Sequence, residues 1–134
     1  MCIRDRDEAP AAPTAPACKC KSKPELKHAL KNASAVFVGR VEEQRKSPYR
    51  EHLNEVKMTV FRRFKGFDEL PDNNFVIVHT PIKKEKCSIK FSNGYEYLIF
   101  AKGPPAYLET TKCDRTDLLD KSLLDQQRLI RMTQ

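Results

Sequence analysis

Cys18-Lys19-Cys20 constrains this chain more than any other stretch. Two cysteines one residue apart are too close to bridge each other comfortably, so each must find a partner elsewhere. Only Cys2, Cys87 and Cys113 remain. If the pair bonds to Cys87 and Cys113, a loose amino-terminal segment is stapled to two distant parts of one domain and becomes a fixed surface ridge. Cys2 lies in residues 1–7, which have neither a signal peptide's apolar core nor a strand or helix pattern. That stretch resembles translated adapter sequence, which points to a bacterial, environmentally sampled gene, and it is set aside as a non-native start. The four other cysteines allow three pairings, and counting does not choose among them. Disulfides in a small chain imply an oxidising compartment, so the expected location is extracellular or periplasmic.

Residues 8–17 are rich in Ala and Pro and read as an extended linker. They end in Ala15-Pro16-Ala17, a small-x-small pattern like a signal-peptidase site, so residues 1–17 divide into the foreign start and a linker or signal-peptide remnant, the signal peptide itself being truncated. Residues 18–134 are then one domain with a modest core. No apolar run approaches the roughly 18 residues of a membrane-spanning helix. The chain has 25 Lys and Arg against 18 Asp and Glu, a net charge of +7. That surplus favours an anionic partner, whether nucleic acid, acidic glycan, phospholipid surface or acidic protein.

Periodicity predicts a short helix over Pro24–Asn32, with Leu26, Ala29 and Leu30 on one face. Ala35–Glu43 is a β-branched strand whose mid-strand Gly39 calls for a bulge or sharp coil. Gln44–Leu53 is a polar loop. Asn54–Lys65 alternates, with Val56, Met58 and Val60 inward and Lys57 and Thr59 outward. A third strand over Phe75–Thr80 stops at Pro81. Ser88–Phe91 and Tyr95–Ala101 flank Asn93-Gly94, a hairpin signal. A last strand, Tyr107–Lys112, leads to Cys113. Asp117–Met132 reads as an amphipathic helix with Thr116 as N-cap and Leu118, Leu119, Leu123, Leu124, Leu129 and Ile130 as its apolar set. Short antiparallel strands that must hide their edges give a mainly β fold. The expected architecture is a five-stranded OB-fold-like closed barrel with a short N-terminal helix and a C-terminal amphipathic helix. A β-sandwich is the alternative.

The CxC start, the helix after it, Ala35-Val36-Phe37-Val38-Gly39-Arg40-Val41, Phe64-Lys65-Gly66, the stretch Asn93-Gly94-Tyr95-Glu96-Tyr97-Leu98-Ile99-Phe100-Ala101, and Cys113-Asp114 occur together. This combination resembles the netrin-like module found as the N-terminal domain of tissue inhibitors of metalloproteinases, over about residues 18–131. The resemblance implies a five-stranded OB barrel with Cys18 bonded to Cys87 and Cys20 to Cys113. It also implies a secreted inhibitor that acts through its first cysteine. The α-amine and carbonyl oxygen of Cys18 would replace the water on a protease's catalytic zinc, and the Lys19 side chain would enter the specificity pocket. Cleavage after Ala17 is needed to create that amine, and the charge of Lys19 calls for an acidic pocket. The vertebrate inhibitors have a third bridge whose cysteines this chain lacks, so the two helices are expected to be held by packing alone.

His28, His52 and His79 have no metal-ligand spacing, and no catalytic pattern of Ser/His/Asp or Cys/His type stands out. The chain therefore reads as a non-enzyme, without cofactor or metal of its own, and monomeric. Lys19, Lys21 and Lys23 adjoin the staple, and Lys83, Lys84 and Lys86 precede Cys87. A Cys18–Cys87 bond would bring these six onto one basic rim, suited to an anionic glycan or surface. A non-inhibitory extracellular module for an anionic or protein partner is thus the alternative function. Nucleic acid is disfavoured, because no strand alternates basic and aromatic residues.

Overall fold

The computed structural model describes residues 24–66, 75–82, 88–104 and 107–133. The fold is mainly β, a curled sheet with two short helices. The strands are β1 (Ala35–Lys46), β2 (Leu53–Lys65), β3 (Phe75–Pro81), β4 (Glu96–Ala101), β5 (Leu108–Glu109) and β6 (Asp117–Leu118). The helices are α1 (Leu26–Asn32) and α2 (Leu123–Met132). Across the sheet the order is β5-β3-β2-β1-β4-β6. All neighbours are antiparallel except β3 and β5, which pair in parallel.

The expected closed five-stranded barrel is corrected to this six-stranded curled sheet. β5 returns to the end of β4 through one antiparallel bridge, Lys102–Glu109, whose two backbone hydrogen bonds are each 2.8 Å. Among the described residues one backbone bridge joins the two ends of the curl there, and no strand ladder forms along that seam.

The period-2 geometry of β1 explains why it is apolar on both sides. Phe37 and Val41 point into the curl with Val56, Met58 and Val60 of β2, Val76 and Val78 of β3, and Tyr97 and Ile99 of β4. Val36 and Val38 point outward with Leu98 and Phe100 of β4, and there meet Leu26 and Ala29 of α1 and Leu129 of α2. The inward set expected for β2 is the one observed. Gly39 marks a register shift between Val38 and Gly39. A Cβ there would lie 3.0 Å from the Phe37 ring and 3.2 Å from Met58 Sδ, so the missing side chain lets both pack across the bend.

Several boundaries differ from expectation. β1 runs on through Gln44, Arg45 and Lys46, which pair with Val56, Glu55 and Asn54, so the expected loop Gln44–Leu53 shrinks to residues 47–52. Ser88–Phe91 is coil: the Phe91 N–H donates locally to Ile89 O, and the Gln44 side chain donates to Phe91 O. The Phe91 ring still packs edge-on to Tyr97, with centroids 4.7 Å apart. The Tyr107–Lys112 strand shortens to β5 because threonine hydroxyls take over beyond it. Thr110 donates to Phe100 O at 2.8 Å, and Thr111 caps the 3₁₀ turn Lys112–Asp114.

Thr116 does not cap a helix. Its Oγ1 accepts the Phe100 N–H at 2.9 Å and lies 2.7 Å from the Thr110 hydroxyl. Asp117 and Leu118 then pair with β4, a second 3₁₀ turn spans Leu119–Lys121, and α2 starts only at Leu123. Of the apolar set assigned to one helix, Leu129 alone is fully buried, whereas Leu123 and Leu124 face solvent.

Replacing Thr116 with Val keeps the shape but leaves the buried Phe100 N–H without its acceptor. We expect Thr116→Val to lower unfolding free energy by about 1–3 kcal/mol, and Thr116→Ser to retain most of it. Urea titration of the two variants checks this, and equal stability of Thr116→Val and wild type would refute it.

Candidate functional site

Cys18, Cys20, Cys87 and the rim lysines Lys19, Lys21, Lys23, Lys83, Lys84 and Lys86 lie outside the described residues. Of the expected site, the structure describes Cys113 and its surroundings. Cys113 is half-buried and disulfide-bonded. It sits in the 3₁₀ turn Lys112–Asp114, which hydroxyl and carboxylate groups fix in place. The Thr111 hydroxyl accepts the Cys113 N–H at 3.1 Å, and Asp114 Oδ2 accepts the Thr111 N–H at 2.9 Å. The other Asp114 oxygen is 2.9 Å from Lys102 Nζ. A disulfide here therefore attaches to a turn whose Cys113 and Asp114 N–H groups both donate to Thr111.

Arg115 follows, in the left-handed region at φ 74°. That backbone turn aims its side chain across the helix pair. Nε and Nη2 donate to the two carboxylate oxygens of Asp125 on α2, at 2.7 and 2.9 Å. Nη1 donates to the carbonyl of Pro24 at 2.7 Å, just before α1. The hydrogen bond to Asp125 raises the Arg115 pKa above the ordinary arginine value and keeps the guanidinium charged. One planar fork thus joins the residue after the disulfide turn, the C-terminal helix and the start of α1. The expectation that packing alone holds the helices is corrected: Leu129 packs there, and Arg115 adds a polar clamp.

A second constellation lies on the outer side of β2 and β3. Glu55 and His79 are direct cross-strand partners and both are buried. His79 Nδ1 lies 3.1 Å from Leu108 O, and its Nε2 is 3.6 Å from Glu55, whose other oxygen accepts from Arg45 at 2.8 Å. Tyr107 stacks on His79 with centroids 4.0 Å apart, and Arg50 covers the Tyr107 ring. Burial raises the Tyr107 pKa, and its hydroxyl has no hydrogen-bond partner among the described residues. This stack pins the β1–β2 loop to β5. His28 and His52 are exposed, and among the described residues no three His, Cys, Asp or Glu side chains gather to hold a metal.

The sequence reading missed both constellations. Arg115 and Asp125 are ten residues apart, a separation that signals nothing until α2 is known to fold back. Glu55 and His79 are joined only by the β2–β3 register.

Arg115→Met removes three charge-assisted hydrogen bonds and leaves Asp125 partly buried. We expect a loss of about 2–4 kcal/mol and independent fraying of α1. Arg115→Lys restores the charge without the fork, so it should recover less than half of that loss. Thermal unfolding and hydrogen exchange at the α1 amides provide the readout; a wild-type midpoint in Arg115→Met would show that the clamp contributes nothing.

No known protein-family model matches this chain, and a search of curated proteins finds no match.

Proposed function

We propose that this chain is an exported, disulfide-stapled domain of the netrin-like, OB-barrel type that inhibits zinc metalloproteases through Cys18. One observation carries the reading. Cys113 is disulfide-bonded, and Arg115, two residues later, grips the carbonyl of Pro24. Three residues lie between Cys20 and Pro24, a reach of at most about 15 Å, which supports a Cys20–Cys113 pair. The strand circuit β1-β2-β3-β5-β4 and the parallel β3–β5 pair are compatible with an OB-type barrel.

In this mechanism, processing after Ala17 frees the α-amine of Cys18. Bonds from Cys18 to Cys87 and from Cys20 to Cys113 hold that amine and the Cys18 carbonyl in a fixed orientation, so little ordering entropy is lost when the ridge meets a protease. The amine and carbonyl take the open position on the protease's zinc, and Lys19 enters a specificity pocket that must be acidic.

Non-reducing peptide mapping should find Cys20 joined to Cys113 and Cys18 to Cys87; a Cys87–Cys113 peptide would remove the ridge. A form beginning at Cys18, assayed against zinc metalloproteases that include acidic-pocket members, should inhibit, more strongly as pH rises toward about 8 and the amine loses its proton. One Ala added before Cys18 should abolish inhibition without unfolding. Lys19→Thr should shift preference toward apolar pockets. If the Cys18 form and Lys19→Thr are both inert across the panel, the inhibitor reading fails.

A second reading is a non-inhibitory module for an anionic partner. It is favoured by Lys27, Arg128 and Arg131, which line one cleft with no acidic partner among the described residues.

A further inference from the structure

The solvent face of α2 combines two features that its core contacts leave uncovered. Leu123, Leu124 and Met132 are 58%, 63% and 44% exposed, three of the eight most exposed large apolar side chains among the described residues. At helical spacing Leu124, Arg128 and Arg131 form one outward stripe. Asp125, the helix's only acid, is turned away and bound to Arg115.

Beside the stripe lies a cleft of about 660 Å³. Lys27 of α1 faces Arg128 and Arg131 across it, and Leu26 and Met132 supply its apolar wall. Among the described residues Glu25 is the one acid in the lining, and the Arg115 charge is already met by Asp125. Asp120 and Lys121, just before α2, offset each other.

Cations alone would take any anion, and exposed leucines alone any apolar surface. Set together on one short helix, they match a surface that presents phosphates above an acyl interior. We propose that α2 docks on an anionic phospholipid surface, with Lys27, Arg128 and Arg131 at headgroup phosphates and Leu123 and Leu124 in the headgroup–acyl boundary. A helix of ten residues makes this contact weak and reversible. The proposal rests on the anionic-partner reading and is independent of the inhibitor reading.

The test is co-sedimentation with phosphatidylcholine vesicles and with vesicles containing about a third phosphatidylglycerol. The full chain should sediment with the second and not the first. The triple variant Lys27→Gln, Arg128→Gln, Arg131→Gln should lose roughly fivefold per charge, about a hundredfold in all. The Leu123→Gln, Leu124→Gln variant should lose several-fold. All five positions are exposed, and circular dichroism verifies that both variants fold.

Heparin retention separates this proposal from the reading beneath it. If the triple variant elutes early from heparin while wild type ignores vesicles, anion binding stands and the membrane proposal falls. Equal sedimentation with neutral vesicles, or a leucine variant that binds like wild type, would also overturn it. So would glycerol phosphate shifting the cleft's NMR signals when vesicles do not bind, which would assign the cleft to a soluble phosphate.

Discussion

The structure depends on a strand pair, β1 and β4, that is buried on both faces. Ala35–Arg40 lies against Glu96–Ala101 in unbroken antiparallel register. Odd-numbered positions of the pair fill the curl and even-numbered ones support the helices, so two hydrophobic clusters share one two-stranded ribbon. Removing volume on either side therefore disturbs both, because Phe37 and Val36 are held by the same backbone. This explains why the two strands read as continuous apolar runs in an otherwise highly charged chain.

Polar fastenings complete what this small core begins. The Thr110–Thr116 hydroxyl pair secures the backbone of Phe100 at the point where β4 leaves the sheet. Arg115 ties α2 to the residue ahead of α1. This guanidinium fork is a non-covalent constraint, and its strength depends on water exclusion.

Much of the sheet was legible in the sequence. Val56, Met58 and Val60 alternate and Gly39 marks the bend, whereas Asn93-Gly94 forms a turn without the expected hairpin, because Ser88–Phe91 is coil. Errors arose where side chains compete with the backbone for hydrogen bonds. Thr110, Thr111 and Thr116 shorten a strand and delay a helix; the Thr111 hydroxyl does so with its neighbours Cys113 and Asp114, whereas Thr110 and Thr116 use the distant Phe100 backbone. Leu123 and Leu124 look like core positions in a helical pattern until Asp117 and Leu118 are drawn into the sheet and rotate the helix that follows. Of the expected ridge and rim, Cys113 is the residue whose surroundings are described, and its resemblance-based role rests on Arg115, which no motif flagged.

The β1–β4 register also determines the order in which the molecule can form. Ala35 faces Ala101, so the most buried edge of β1 waits for a strand that leaves the ribosome well after it. Until then, β1 and β2 can form a hairpin, but both its outward apolar face and its free edge are open to other chains. Such a nascent hairpin is a template for intermolecular pairing. A chain with this topology gains from being held unfolded until β4 has emerged, and long-range strand pairing makes its folding slow compared with a helical domain of the same length.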